Sequence, residues 1–539
     1  MSTPVTDTPA QAARKPDESI KETFESIVIA FILAFVFRAY VVEAFVIPTG
    51  SMAPTLRGQH YRVTCSQCGY NFTADGPDLE RRRLDAVCPM CHQPNTIPAG
   101  KGKVAGDRIL VHKYIYSLSE PRRWDVVVFK APHDPEINFI KRLVGLPDES
   151  VAILEGNIYV QRHHGVDEPP TPWLIARKGD RPKVQEAVWQ PVYHTPYVPL
   201  DGGDDEASPV RVSHPWQQPW VPAEGEAGRW QERPRQGFLF DGGGEGTLRF
   251  DFRAALEGGP GLYAYNHLKG LVLGLHDEPI EDIRLAAVVE PTVNGAGVTL
   301  ATTARLDTPL GPLPLEASLL PGGGAELTTI DPTTGGKRVL ASADRVDVPA
   351  LAAGRARLVE LWYVDQQASL WIDGERVLMW QYDLPHSQTL AESPILTRPG
   401  MTRHPEVSLR VASSGAVRVH RIELDRDLYY SSTQPGGATL GRGAIVKHLA
   451  DGSRGQPMTL AADEFFVLGD NSPQSSDGRW WEPAEDWIVK RMFYAQHPAP
   501  DGIVPRKLLI GRAFFVYFPG PYAWGRLPVP NFGQMRFIH

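Results

Sequence analysis

The chain is short of cysteine, of surplus positive charge and of long apolar runs, and each shortage removes a class of function. Four cysteines in 539 residues cannot staple a chain of this length as a disulfide scaffold. Lysine and arginine number 55 against 63 aspartates and glutamates, a formal net charge of −8, so no basic field is available to gather nucleic-acid phosphates. Beyond residue 47 no stretch approaches the roughly 20 apolar residues that a membrane span needs. Turn chemistry, by contrast, is abundant. The 50 glycines and 49 prolines make about 18% of the chain against an average near 12%, which favours short strands over long helices. At roughly 100–200 residues per domain the length allows three or four folding units.

Residues 1–20 carry almost no large apolar side chains and read as a disordered tail. Eleven consecutive apolar residues follow, Ile27 to Phe37, before Arg38 interrupts; apolar character resumes through Ile47 around Glu43. At about 1.5 Å per residue eleven cannot cross a ~30 Å hydrocarbon layer. Three readings are open: a buried core helix, a cleaved secretory signal, and a retained anchor over 21–44 whose Arg38 carries its charge to the interface along its stem.

Beyond Pro48 the pattern is one of short β-type runs, including Arg108 to Val111, Asp125 to Phe129, Phe139 to Val144, Phe465 to Leu468 and Ala513 to Phe518. The first and last parts of the chain are therefore expected to share one sheet system. Between them, 205–430 alternates strands with turns. It starts in a loop at 201–206, and Asp373-Gly374 joins two strands in a tight hairpin. This segment is expected to be an inserted β-sandwich resembling laminin-G-like or lectin-like domains.

Three stretches carry candidate chemistry. The first, Phe45-Val-Ile-Pro-Thr-Gly-Ser-Met-Ala-Pro-Thr-Leu56, places Ser51 in a turn. In the second, Phe139-Ile-Lys-Arg-Leu-Val-Gly-Leu-Pro147, strand alternation puts Lys141 on one face with Phe139 and Leu143, and Arg142 on the other. Either Lys141 is a surface lysine with a snorkelling stem, or burial depresses its pKa until the neutral amine can act as a general base. The third, Phe466 to Trp480, is a glycine-marked loop with small hydroxyl residues and an Asp477 and Arg479 pair.

Together the three stretches resemble type I signal peptidases, membrane-bound serine proteases that remove signal peptides from exported proteins. The boxes Ile47 to Leu56, Gly106 to Leu110, Trp124 to Phe129, Ile140 to Pro147, Leu468 to Arg479 and Ile510 to Pro519 occur in the family's order. The resemblance implies a mainly β, signal-peptidase-type catalytic fold behind an N-terminal transmembrane helix. It implies Ser51 as nucleophile, Lys141 as general base, Thr49 as an oxyanion donor beside the Ser51 N–H, and Ser475 as the hydroxyl that orients the lysine. Asp470, Asn471, Asp477, Arg479 and Arg142 would support them. It implies too a single-pass protein of the cytoplasmic membrane, contacting lipid, with its catalytic part on the outer side and preproteins of the Ala-x-Ala kind as substrates. The anchor reading of 21–44 follows, with Val46-Ile47 beginning the strand that leads to Ser51. One departure stands out: Gly145-Leu-Pro-Asp-Glu149 replaces the family's Gly-Leu-Pro-Gly-Asp, so the turn is expected to change conformation.

All four cysteines lie together as Cys65-x2-Cys68 and Cys88-x2-Cys91. That spacing suits a tetrahedral structural zinc in a ribbon-like insert over 60–100; disulfide bonding is the alternative in an extracytoplasmic setting. With all four ligand positions filled, catalytic zinc is not expected, and no cofactor is expected for catalysis. The domain plan is thus an anchor, catalytic parts over 45–204 and 431–539, and the sandwich between them, with a glycan or protein as its possible ligand. Two competing readings are a non-enzymatic tethered binding protein and a self-cleaving regulator. The latter needs a DNA-binding segment, and none is found.

Overall fold

The computed structural model describes residues 16–76, 83–154, 156–164, 168–199, 216–256, 280–304, 312–331, 334–383, 404–431, 441–443, 456–481, 501–524 and 527–539. The tail over 1–15 and the loop at 201–206 lie outside them. One helix spans Pro16–Tyr40, so the expected bounds of 21–44 shift at both ends and the last five residues of the expected tail are helical. Proline suits the first helical position, where its missing N–H is not needed, and Asp17 and Glu18 follow where a helix N-terminus favours acid. At the other end the β-branched pair Val41-Val42 leads into the strand Val42–Val46, paired with Arg108–Lys113. The strand expected from Val46 therefore ends there instead. Along the helix Ile27 to Ile29, Phe31 to Leu33, Phe35 and Val36 are all exposed; the Arg38 side chain lies outside the described set. Among the described residues no helix is long and apolar enough to cross a membrane.

The rest is mainly β. An eight-stranded antiparallel sheet runs in the order Val42–Val46, Arg108–Lys113, Leu509–Phe518, Val126–Lys130, Asn138–Gly145, Glu464–Leu468, Ile503–Pro505, with Arg536–Phe537 against Leu509–Phe518. Strands from both ends of the chain thus alternate in one sheet. A four-stranded sheet built on Glu149–Leu154 and Asn157–Arg162 packs beside it, and Val144, Val151, Phe466 and Leu468 fill the space between.

Two further sheets, of eight and seven strands, face each other across one apolar core that includes Leu285, Leu361, Leu409 and Leu424. Alternation along Ile283–Pro291 and Val407–Ser413 sends every second side chain into this core. The Asp373-Gly374 hairpin is present, both residues having positive φ of 52° and 84°, as a two-residue turn between twisted strands requires. The sheets recruit Gln190–His194, which pairs with Val417–Arg426, so this layer starts before residue 205.

Candidate active site

Ser51 lies in a single 3-10 turn, Gly50–Met52, entered through Thr49 in extended conformation. Gly58 packs directly against this turn, and a Cβ there would collide with the Thr49 carbonyl and the Gly50 nitrogen. Ninety residues on, the strand Asn138–Gly145 delivers Lys141, whose Nζ lies 2.7 Å from Ser51 Oγ. Lys141 is only 4% exposed and its amine sits 5.4 Å from the centre of the Phe139 ring on the same strand face. Burial pushes its pKa down to about 8; the charges of Asp477 and Asp470 oppose that fall and Arg479 assists it. Charged, the amine donates to the serine oxygen; neutral, it can accept the serine proton at the same separation.

The loop after Glu464–Leu468 clamps the serine turn from the other side. Asn471 donates from its backbone N–H to Ser51 O and from Nδ2 to Gly50 O, both at 3.0 Å. A Cβ on Gly469 would run into Ser475 Oγ and the Ser51 carbonyl, which is why this position is glycine. Asp477 is wholly buried; it accepts both forks of Arg479 at 2.9 and 2.7 Å and the Gly469 N–H at 3.0 Å. Arg142, facing away from Lys141, makes a bidentate pair with Asp470 at 2.7 Å on each arm. Such forks fix geometry as well as charge.

Two site residues fall short of their expected contacts. The Ser475 hydroxyl is buried but has no hydrogen-bond partner among the described residues, so the bond to the lysine amine is not made; Lys141 turns to Ser51 instead. Thr49 is exposed and its side chain makes no capping bond, leaving the hydroxyl open to solvent beside the serine. Three contributors went unnoticed in the sequence. Thr55 donates to Asp470 Oδ2 at 2.6 Å. Ser472 Oγ accepts from Arg479 at 2.9 Å and from the Ser431 N–H at 2.8 Å. Thr55 stands in the same box as Ser51 and Ser472 in the same box as Ser475, which was the available signal; nothing marked Ser431.

At the departure over Gly145 to Glu149 the turn is built around a left-handed residue. Asp148 takes φ +59°, the left-handed region that favours glycine and that aspartate tolerates better than most residues. Glu149 is 1% exposed and accepts Arg123 on both oxygens at 2.7 Å, and the Leu146 N–H at 3.1 Å.

The four cysteines form a separate buried cluster, with all four sulfurs within 4.8 Å of one another. Cys65 to Cys91 is 3.5 Å and Cys68 to Cys88 is 3.6 Å, close to the ~3.8 Å edge of a tetrahedron with Zn–S bonds of about 2.3 Å. Each knuckle is shaped by paired backbone bonds, Gly69 N–H to Cys65 O and His92 N–H to Cys88 O at 2.9 Å. The Asn95 amide and the Tyr70 N–H point at sulfurs, as donors around thiolates do. All four cysteines are free thiols, so the residues present fit a four-coordinate metal better than a disulfide pair. Two further clusters of ligating side chains each already hold a cation of the protein itself: Arg284 among Glu423, Asp425 and Glu360, and Lys178 between Asp365 and Asp427.

Comparison with known proteins agrees with the site's layout. The family model described as signal peptidase, peptidase S26, matches residues 20–87, 93–199 and 431–518. Signal peptidase I of Rickettsia typhi is 29% identical over 148 residues, 27% of this chain and 45% of that protein. Signal peptidase I of Aquifex aeolicus is 47% identical over 62 residues, 11% of this chain and 24% of that one. The chain thus spans less than half the length of these relatives. A carbohydrate-binding module, CBM66 of Bacillus subtilis, shares 8% identity over 39% of this chain and 96% of its own, at a TM-score of 0.23, too low for any argument to rest on it. The matched segments are those that carry the serine turn, the lysine strand and the clamping loop, and it is through them that the chain is similar to the signal peptidase, peptidase S26, family.

Proposed function

We propose that this protein is a membrane-anchored serine endopeptidase that removes signal peptides from exported preproteins. The observation that carries the reading is the 2.7 Å separation of the Lys141 amine and the Ser51 hydroxyl, with burial bringing the amine to about 8. In the neutral state Lys141 takes the proton as Ser51 Oγ attacks the scissile carbonyl. It then returns that proton to the leaving amine, and water repeats the sequence to free the acyl-serine. Charge developing on the carbonyl oxygen falls to the Thr49 hydroxyl and the Ser51 N–H. Ser475 orients the lysine once substrate excludes water, and the Arg142–Asp470 and Asp477–Arg479 forks, with Asn471, hold both partners in place. Substrates enter as extended strands with small residues before the cut.

The helix Pro16–Tyr40 serves as the single anchor and places the catalytic part on the outer face of the cytoplasmic membrane. Its support is the run of apolar side chains left exposed all round, which lipid would cover. Cys65, Cys68, Cys88 and Cys91 hold a structural zinc that crosslinks the two knuckles and takes no part in the reaction.

Replacing Ser51→Ala and Lys141→Met separately should each lower cleavage of a signal-peptide substrate by at least about a thousandfold, measured on the full chain in detergent. Either variant cleaving at the wild-type rate would falsify the dyad.

A further inference from the structure

Peptide cleavage makes no use of the outward face of the seven-stranded sheet, and that face carries a second candidate site. Val298, Leu300, Leu409 and Val411 turn into the shared core, so their neighbours along each strand point outward. The strand register aligns these neighbours in two rows: Thr247, Arg410, Thr299 and Ser318, then Arg249, Ser408, Ala301 and Glu316. Beside the rows, residues 251–253 and 404–406 wall a cleft of about 930 Å³, which is in the size range of ligand sites.

The lining is balanced in charge. Arg249, Arg253 and Arg410 stand against Asp251, Glu316 and Glu406, so no net field selects an ion of either sign. Part of this set is already engaged: Arg410 donates to Glu316 at 2.5 Å, and Asp251 caps the Arg253 and Ala254 N–H groups. The side chains of Arg249, Arg253 and Glu406, all exposed, make no hydrogen bond or ion pair among the described residues. Two planar donors and an acceptor are therefore free beside short hydroxyl side chains. Phe252 and His404 stack with centroids 4.8 Å apart and an interplanar angle of 16°; Phe252 belongs to the buried core and His404 is half-buried, so the imidazole is the ring of the pair that the cleft can reach.

We propose that this cleft binds a neutral oligosaccharide. Hydroxyl groups both give and accept hydrogen bonds, which suits a wall where guanidinium donors and carboxylate acceptors alternate without net charge. The half-buried His404 ring, backed by Phe252, gives the apolar face of a sugar one ring to rest against. A peptide fits less well, because Gly244–Phe250 and Val407–Ser413 are paired on both sides within the sheet, so no free edge offers backbone groups to an added strand.

The test is calorimetric titration of the full chain in detergent with neutral gluco-, xylo- and N-acetylglucosamine hexasaccharides, with an oligogalacturonate and an acidic peptide as comparators. At least one neutral hexasaccharide should bind in the submillimolar range. Arg249→Ala and Arg410→Ala should each weaken that binding about tenfold, the loss of a hydrogen bond from a charged donor, with the melting curve unchanged. The proposal is overturned if no neutral sugar binds, if an acidic comparator binds more tightly than every neutral one, or if both substitutions leave affinity as it was.

Discussion

At the scale of single residues, the chemistry turns on one amine that burial keeps close to neutrality. Since the proposed reaction uses the neutral form, cleavage should rise with pH through about 8, where burial has brought Lys141, and fall below it about tenfold per unit. A rate that stays flat from pH 6 to 9 would show that no such group titrates. The same amine bears on stability. Its folded pKa lies below the ordinary lysine value, so the unfolded chain binds the extra proton between about 8 and 10.4, and stability rises with pH across that window. Below it the charged amine costs about 3 kcal/mol. Lys141→Met should therefore stabilise the fold at pH 7 and progressively less as pH climbs, as urea melts at several pH values would measure. Local pattern alone gave a serine in a turn and a lysine on a strand face; Ser51 and Lys141 were singled out in the sequence through the resemblance of their boxes to signal peptidases. Thr55 with Asp470, and Ser431 with Ser472 and Arg479, were not. Those pairs are separated by 415, 41 and 48 residues, and no local pattern registers a contact that only the tertiary fold creates.

At the scale of elements, strands were easier to foresee than their limits. Turn residues punctuate a strand clearly, yet Gln190–His194 joins the larger sheet because Val417–Arg426 offers it a partner, a long-range choice that no turn residue announces. The cysteine knuckles were legible from spacing alone; what they touch was not. Tyr70, beside the first knuckle, meets the Tyr197 ring edge-on at 4.8 Å, Arg235 donates to Gln67 O at 3.3 Å, and Trp216 packs against both the ribbon and the sandwich core. The cysteine-bearing segment thus rests against the inserted layer. Elemental analysis should find one zinc per chain. Removing it with a chelator, or substituting Cys88→Ser, should open residues 60–100 to protease while the strands around Lys141 stay protected. Zinc-free protein that is loosened by reductant and not by chelator would assign the cysteines to disulfides.

At the scale of the whole molecule, the layers are joined by buried charge. Lys178 is 1% exposed and bridges Asp365 and Asp427 at 2.8 and 2.9 Å, while Gln185 donates to Asp427 at 2.7 Å. Burial disfavours the ammonium, but the two carboxylates outweigh it and raise its pKa. Lys178→Met would strand both acids, a change that typically costs 3–5 kcal/mol; a lower denaturation midpoint and faster proteolysis near 280–283 and 427–431 should follow, and an unchanged midpoint would show the bridge to be dispensable. The inserted layer is also tied to the loop that clamps the serine turn, at the point where the chain leaves the layer. There Ser431 O accepts from Arg479 at 2.8 Å, and the Ser431 N–H donates to Ser472 Oγ at 2.8 Å. An engineer who cut the chain at 175 and 431 and sealed the gap would therefore not obtain a trimmed peptidase with its working parts untouched. The Ser431 carbonyl and N–H that brace the clamping loop would leave with the excised piece, and the smaller protein would need replacements for them before its serine could be aimed.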